Sequence, residues 1–282
     1  MTRGSAQDCS LQVTPKVTLH GLRWDIDSTR PTIVIAHGIN EHIGRYAHVA
    51  AALNDVGFSV IGFDHRGHGR SAKAGKRSSN TRHFESLVDD YLEALRSVRN
   101  ATGRRPIALG HSMGGLIATR AALRVQALVE ALILSGPALK IATDMSPVRM
   151  RMALTVAKGF FFLKAPEGVT DGLSRDPSVR EAFRNDPLCI NDPLRMGIAG
   201  QLYAYSERTR AQAPHLIMPL LVMHGEADLI TDPSGSREFV ANAGSPDKTL
   251  ITWPGDQHEI FNEIDQADVI KALTDWLSAR FP

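Results

Sequence analysis

The sequence predicts an α/β protein whose mostly parallel β-sheet is covered by helices on both faces. Short apolar runs typical of buried strands occupy residues 32–36, 59–63, 107–109, 131–134 and 220–223. Segments with helical spacing of apolar residues occupy 45–56, 85–100 and 113–125. Strands that alternate with helices along the chain are typical of a parallel sheet with two covered faces.

The ends of the chain complete this pattern. Residues 17–24 predict an antiparallel strand at the start of the sheet, residues 249–253 a further β-like segment, and residues 266–279 a closing helix. The strand pattern stops between about residue 138 and residue 214, where one helical segment spans 148–163. We therefore expect a core formed by 1–137 and 215–282, with 138–214 inserted as a helical cap.

Composition excludes several classes of protein. Of the 282 residues 43% are hydrophobic and 22% charged, which is typical of a packed globular chain, and the net charge of +2 is too small for a dedicated nucleic-acid binder. No apolar run approaches the roughly 18 to 20 residues that span a bilayer. With only Cys9 and Cys189 and no apolar leader before Gln12, a reducing cytoplasmic setting is expected.

The most specific motif is Gly110-His111-Ser112-Met113-Gly114, a G-x-S-x-G pattern. It lies between an apolar strand and a predicted helix, which is the context of a nucleophile elbow. The glycines permit close backbone packing, and the helix N-terminus favours developing negative charge beside Ser112. The sequence therefore predicts Ser112 as a nucleophile.

A serine hydroxyl is a weak nucleophile at neutral pH and needs a base and an orienting acid. Asp228 follows the strand at 220–223, and His258 precedes the last helix, so the chain order is Ser, Asp, His. Rival carboxylates are present at Asp232, Asp247 and Asp256. We predict Ser112, Asp228 and His258 as the catalytic residues.

Acyl transfer also needs donors for the developing oxyanion. His37-Gly38-Ile39 directly follows the strand at 32–36, and Met113 follows the nucleophile. The backbone N–H groups of Ile39 and Met113 are therefore the predicted oxyanion donors.

These motifs together resemble the α/β-hydrolase superfamily. HGINEHIGRY (37–46), DHRGHGRS (64–71), GHSMGG (110–115) and HEIFNE (258–263) resemble its monoacylglycerol lipase and lysophospholipase branch, particularly the bacterial members. The segment 174–188 also resembles the cap of that branch, so the likeness covers nearly the whole chain.

The resemblance implies a cap over an apolar acyl channel, with polar residues that hold a glycerol-like head group. Glu41 and Arg45 match the polar positions of the branch and are candidates for substrate binding. The alternative is structural, with Glu41 near a helix N-terminus and Arg45 in an internal ion pair. Asn40 replaces a common glycine, and Ile39 places a bulky side chain beside the oxyanion site, so either can shift preference towards another ester.

The predicted reaction is two-step hydrolysis of lipid-like carboxylic esters, most of all monoacylglycerols, without a metal or organic cofactor. We expect activity to rise through pH of about 6 to 7 as His258 loses its proton. Alternatives are a carboxylesterase for short-chain or phthalate monoesters, a lysophospholipase or an aminopeptidase. An epoxide hydrolase or dehalogenase would carry Asp in place of Ser112, and a non-catalytic binding protein would lack a triad residue.

Other polar and apolar clusters have simpler interpretations. His37, His65, His68 and His111 form no H-E-x-x-H pair, so no metal site is predicted there. The basic run 66–82 suggests a solvated loop rather than an anion site. Residues 160–162, together with Met145, Met150 and Met152, suggest cap packing, with transient contact with a membrane surface as the alternative.

Overall fold

A central sheet of eight strands organises the protein. The structure, a computed structural model, describes residues 4–72, 76–143, 145, 152, 155, 161–164 and 172–282. The strands are β1 (Gln7–Thr14), β2 (Val17–Trp24), β3 (Ile33–Ala36), β4 (Val60–Phe63), β5 (Ile107–His111), β6 (Leu132–Ser135), β7 (Leu220–Gly225) and β8 (Lys248–Trp253). Their order across the sheet is β1-β2-β4-β3-β5-β6-β7-β8.

The sheet is parallel except at one edge. β2 pairs antiparallel with both β1 and β4, and every pair from β4 to β8 is parallel. The predicted antiparallel strand at 17–24 is thus confirmed, and the α/β-hydrolase fold is the one observed. β1 was not predicted, because its residues alternate between exposed and half-buried and include few apolar side chains.

Helices cover both faces of the sheet. They are α1 (Ala47–Asp55), α2 (Glu85–Thr102), α3 (Met113–Arg124), α4 (Pro177–Asn185), α5 (Met196–Arg210), α6 (Pro233–Asn242) and α7 (Gln266–Arg280). The predicted helix over 45–56 starts as a 3-10 turn, Ile43–Tyr46, before α1. α6 was not predicted from the sequence; Asp232 caps it by accepting the N–H of Ser234.

The alternation of side chains along each strand builds two cores. In β3, Val34 and Ala36 face the layer that contains α2 and α3, whereas Ile33 and Ile35 face the layer that contains α1 and α7. Since all four side chains are buried, this strand reads as a continuous apolar run rather than as an alternating one.

The predicted cap is described in part. The helix expected over 148–163 lies mostly outside the described residues, and α4 and α5 lie within the later part of the insertion. α5 is attached to the core: Tyr205 stacks on Phe84 with ring centroids 4.9 Å apart, and Gln201 Oε1 accepts the N–H of Phe84. The boundaries 138–214 stay a prediction.

The topology places the predicted site residues at one edge of the sheet. Gly38 follows β3, Ser112 follows β5, Asp228 follows β7, and His258 follows β8, all beyond the carboxyl ends of parallel strands. Ligand sites of open α/β sheets lie at this edge. Within the described ranges, none of the helices has the length and apolar character that crossing a bilayer requires.

Candidate active site

Ser112 occupies a strained turn between β5 and α3. Its φ of 53° and ψ of −120° lie in a region that L residues rarely adopt, as a nucleophile elbow requires. A Cβ at Gly114 would lie 2.0 Å from the carbonyl oxygen of Ala36, and a Cβ at Gly110 would lie 2.4 Å from that of Gly114. The flanking glycines are therefore required by close backbone approach.

Asp228 is held by several donors and contacts His258. Its Oδ2 lies 2.7 Å from His258 Nδ1, 2.8 Å from Thr231 Oγ1 and 3.1 Å from His224 Nε2. Its Oδ1 accepts the backbone N–H groups of Ile230 and Thr231. The carboxylate is thus fixed in the orientation that holds the His258 imidazole.

The pair is buried and electrostatically matched. Burial disfavours the charged form of Asp228, but the neighbouring His258 and the hydrogen bonds from His224 and His258 outweigh it and keep the pKa of Asp228 well below its ordinary value. Burial also disfavours the charged form of His258, yet the charge and hydrogen bond of Asp228 outweigh it and raise the pKa of His258. Asp228 is therefore ionised at neutral pH and stabilises a proton on His258.

Ser112 and His258 line the same pocket. The His258 ring packs against the His111 ring with centroids 4.8 Å apart. Among the described residues, no hydrogen bond uses the Ser112 hydroxyl. Nucleophile and base contacts are often loose before substrate binds, so the arrangement is compatible with the predicted roles.

The rival carboxylates have other partners. Asp232 caps α6 and forms an ion pair with Lys140 at 2.7 Å, and Asp247 pairs with Arg280 at 2.5 Å. Asp256 is buried beside Arg175, with 2.5 Å between the charged groups. Of the four predicted candidates, Asp228 is the one hydrogen-bonded to His258.

The loop after β3, residues 37–42, is here called the oxyanion loop. His37 Nε2 accepts the N–H of His65, so His37 Nδ1 carries the proton and donates to the carbonyl oxygen of Gly38 at 2.7 Å. In a trans peptide the N–H of Ile39 points away from that carbonyl. No acceptor among the described residues takes the N–H of Ile39 or of Met113, whereas the Gly38 N–H donates to Glu41.

The oxyanion loop accommodates Asn40 and Ile39, the two residues that differ from the family pattern. Asn40 adopts a φ of 66°, the left-handed conformation for which asparagine is better suited than most residues. Its carbonyl oxygen accepts the N–H of Ile190, 2.8 Å away in the predicted cap. Ile39 lines the pocket.

Glu41 and Arg45 belong to a buried ion network. Arg45 donates to Glu41 Oε2 at 2.8 Å and to both carboxylate oxygens of Glu259 at 2.7 and 2.6 Å. Glu41 Oε1 also accepts from Tyr46 Oη and Gly38 N. The internal ion pair, which was the structural alternative, is therefore present, and substrate binding by these two residues stays a prediction.

Three histidines at the ends of β3 and β4, His37, His65 and His68, pack together. The rings of His37 and His65 lie 4.1 Å apart, with His68 at 5.5 Å from His37. Burial lowers the pKa of His65 to about 3, with His68 adding to the effect, and burial lowers the pKa of His111 to about 4. These rings are therefore neutral, and they belong to neither of the two groups of close ligand atoms found in the described residues.

The pocket combines apolar walls with a polar end. Its volume is about 500 Å³, and its described lining includes the following residues beyond the catalytic candidates: Leu173, Phe183, Ile190, Leu194 and Ile230 as apolar walls, and Asn191, Asp192, Glu41 and Glu259 as polar groups. No lysine or arginine is among the described lining residues.

Several residues of this site were not found by sequence reasoning. Thr231 and His224 hold Asp228, and Glu259 anchors Arg45. Glu259 lies in the HEIFNE motif, next to His258, which was the available signal. For Thr231 and His224 there was no signal in the sequence other than their position within four residues of Asp228.

The basic run and the apolar cap residues that were named from the sequence lie only partly within the described ranges. In the basic run, Arg66 pairs with Asp90 and Arg70 pairs with Asp8, while residues 73–75 lie outside the described ranges. Phe160 and Met150 also lie outside them. Met145, Met152 and Phe162 are exposed.

The chain is similar to several known hydrolases over most of its length. The family model described as "Serine aminopeptidase, S33" matches residues 27–265. A monoacylglycerol lipase of Mycolicibacterium smegmatis is 37% identical over 256 residues, covering 90% of each chain, and a phospholipase of Bacillus subtilis is 30% identical over 88% of this chain and 95% of its own. The crystal structure of Paleococcus ferrophilus monoacylglycerol lipase superposes with a TM-score of 0.78 at 29% identity, covering 93% of this chain and 98% of that one.

Proposed function

Because the chain belongs to the serine aminopeptidase S33 family and is a carboxylic ester hydrolase, we propose that it hydrolyses monoacylglycerols through Ser112, His258 and Asp228. The observation that carries this proposal is the buried Asp228–His258 pair, 2.7 Å apart, beside Ser112 in its strained turn. The resemblance to the monoacylglycerol lipase branch agrees with the 37% identical relative.

The proposed reaction has two steps. His258 Nε2 takes the Ser112 proton while Ser112 Oγ attacks the ester carbonyl, and the N–H groups of Ile39 and Met113 donate to the oxyanion. The tetrahedral intermediate expels glycerol, which receives the proton from His258. Water then attacks the acyl-enzyme, again giving its proton to His258, and the fatty acid leaves as Ser112 regains its proton.

The ionised Asp228 supports both steps. Its negative charge stabilises the imidazolium that forms when His258 accepts a proton, and its hydrogen bond holds the ring in one orientation. Thr231 Oγ1 and His224 Nε2 donate to the same oxygen, Oδ2, and further restrain the carboxylate. No metal or organic cofactor is needed for this sequence of proton transfers.

The pocket lining favours a neutral lipid-like ester. The apolar walls of Phe183, Ile190 and Leu194 suit an acyl chain, and the amide of Asn191 suits a hydroxylated head group. An anionic substrate, such as a phthalate monoester or a phosphate-bearing lysophospholipid, would need a cation in the pocket. The described lining offers no lysine or arginine for this role, and its carboxylates Glu41 and Glu259 share one cation, Arg45, so the formal charge of this group of three is negative.

The test is a panel of substrates. We expect a chain-length series of 1-monoacylglycerols to be cleaved with higher kcat/KM than matched p-nitrophenyl esters, lysophospholipids, phthalate monoesters and aminoacyl amides. The Ser112→Ala variant should lose about 10⁶-fold in rate, by the subtilisin precedent. Fast p-nitrophenyl ester turnover with little monoacylglycerol cleavage would assign a carboxylesterase, and amide cleavage would assign an aminopeptidase.

We also propose that the enzyme acts in the cytoplasm and takes its substrate from a membrane surface by transient contact. Exposed Met152, Phe162 and Leu163 in the predicted cap support this contact. Co-sedimentation with phosphatidylcholine vesicles should fall when Phe162 and Leu163 are replaced by serine. Equal binding of wild type and variant would contradict it.

A further inference from the structure

We propose that His42, Asp186 and Cys189 form a binding site for a thiophilic divalent cation of the Zn²⁺ type. His42 lies at the end of the oxyanion loop, whereas the other two residues follow α4 in the predicted cap. This site is separate from the triad and is not needed for ester hydrolysis.

The three side chains offer a mixed donor set in a small space. One nitrogen, one carboxylate oxygen and one sulfur lie within 4.8 Å of one another, and His42 Nε2 lies 2.8 Å from Asp186 Oδ2. Ligand atoms around a tetrahedral zinc ion lie roughly 3 to 4 Å apart, so side-chain shifts below an ångström suffice. Imidazole and thiolate together select Zn²⁺ and its analogues over Mg²⁺ or Ca²⁺.

Backbone hydrogen bonds already orient the carboxylate and fix the turn that carries the thiol. Asp186 Oδ1 accepts the N–H of Leu188 at 2.7 Å, which leaves Oδ2 directed at His42. The N–H of Cys189 donates to the carbonyl oxygen of Asp186 at 3.1 Å and holds the two residues in one turn. Such outer contacts are a regular feature of metal sites.

Protons move when the cation binds. His42 Nδ1 now accepts the N–H of Gly44 at 3.2 Å, so Nε2 carries the ring proton. Binding shifts that proton to Nδ1 at the expense of this long hydrogen bond, and the Cys189 thiol releases its proton to solvent. The cation then has one neutral and two negative ligands.

The surrounding charges tolerate a cation. The positive charge of Arg45 lies near both Asp186 and Cys189 and would repel a cation. This charge is offset by Glu41 and Glu259, which form ion pairs with the Arg45 guanidinium. The Asp186 side chain is 28% exposed, so solvent reaches this ligand of the site.

Occupation of the site would act on the pocket. Ile190, which follows Cys189 directly, donates to Asn40 O of the oxyanion loop, and residues 190–194 line the pocket. A cation shared by His42 and Cys189 would pin this segment onto the oxyanion loop and restrict substrate entry. We therefore expect Zn²⁺ to inhibit the enzyme reversibly, whichever ester it cleaves.

Cobalt titration tests the site directly. Co²⁺ added to metal-free wild-type protein should give a saturable thiolate-to-cobalt charge-transfer band with one ion per chain. The band should be absent in Cys189→Ser, and affinity should fall about tenfold or more in His42→Gln and Asp186→Asn. The matched controls Cys9→Ser and His83→Gln, which change the other thiol and an exposed histidine, should bind as wild type does.

Thermal unfolding gives the second readout, because an ion that binds only the folded state raises Tm. Zn²⁺ should raise the Tm of wild type and Cys9→Ser but not that of Cys189→Ser or Cys189→Ala, each compared with its own metal-free melt. A band that persists in Cys189→Ser, or no saturable binding to wild type, would overturn the site. Failure to cleave monoacylglycerols would refute the proposed function and leave these binding results unaffected.

Discussion

Replacement of Arg45 by methionine should destabilise the protein by about 3 kcal/mol, because it leaves two buried carboxylates without their cation. Glu41 and Glu259 are each at most 5% exposed at the side chain, so their desolvation is not relieved by water. Removing one partner of a buried pair costs about 3 to 5 kcal/mol. We expect the lower end, since Glu41 keeps its hydrogen bonds from Gly38 and Tyr46.

Urea unfolding followed by tryptophan fluorescence measures this cost as a change in the free energy of unfolding. The matched control is Arg96→Met, whose pair with Glu93 is exposed and spans 3.5 Å, so its removal should cost less than about 1 kcal/mol. Arg45→Lys should fall between wild type and Arg45→Met, because lysine keeps the charge but cannot bond both oxygens of Glu259.

The same variants separate the two roles considered for Arg45. If the ion network is its main role, Arg45→Met lowers stability, and kcat falls because Glu41 lies in the oxyanion loop and Glu259 is next to His258. A loss below about 1 kcal/mol, together with a raised KM and an unchanged kcat, would refute this reasoning and assign Arg45 to substrate binding.

Three further predictions follow from the site. Asp228→Asn should lower kcat about 10⁴-fold, as in serine proteases with the same triad, because the amide cannot hold the correct His258 tautomer; steady-state kinetics would show it. Since Asp228 raises the pKa of His258 and the neutral ring is the base, the acid limb of kcat/KM should lie above about pH 6.5; a limb below that value would contradict the pairing. Gly114→Ala should unfold at much lower urea than Gly172→Ala, because its Cβ would meet Ala36 O at 2.0 Å rather than a neighbour at 3.5 Å.

The parallel part of the fold could be predicted because β3 to β7 are short apolar runs between amphipathic helices. Ser112 and Asp228 could be predicted as candidates for the same reason, since they follow β5 and β7, whereas His258 was predicted from its place between the β-like segment that forms β8 and the last helix. The position of each motif directly after a predicted strand was therefore enough to predict that these residues meet at one edge of the sheet.

The elements that could not be predicted lack a local pattern. β1 lies at the sheet edge with exposed and half-buried side chains, and α6 is a short helix in which small and polar residues predominate. The bond between Arg45 and Glu259 joins residues 214 positions apart in the chain. Only the folded sheet brings them together, so the sequence left the role of Arg45 open between an ion pair and substrate contact.

The most direct test of the central claim is to identify the acyl-enzyme. Wild-type protein mixed with a 1-monoacylglycerol and quenched in acid within one turnover should gain the mass of one acyl group, and peptide mapping should place it on Ser112. Ser112→Ala should show neither the adduct nor turnover. An adduct on another residue, or hydrolysis that persists in Ser112→Ala, would contradict the mechanism.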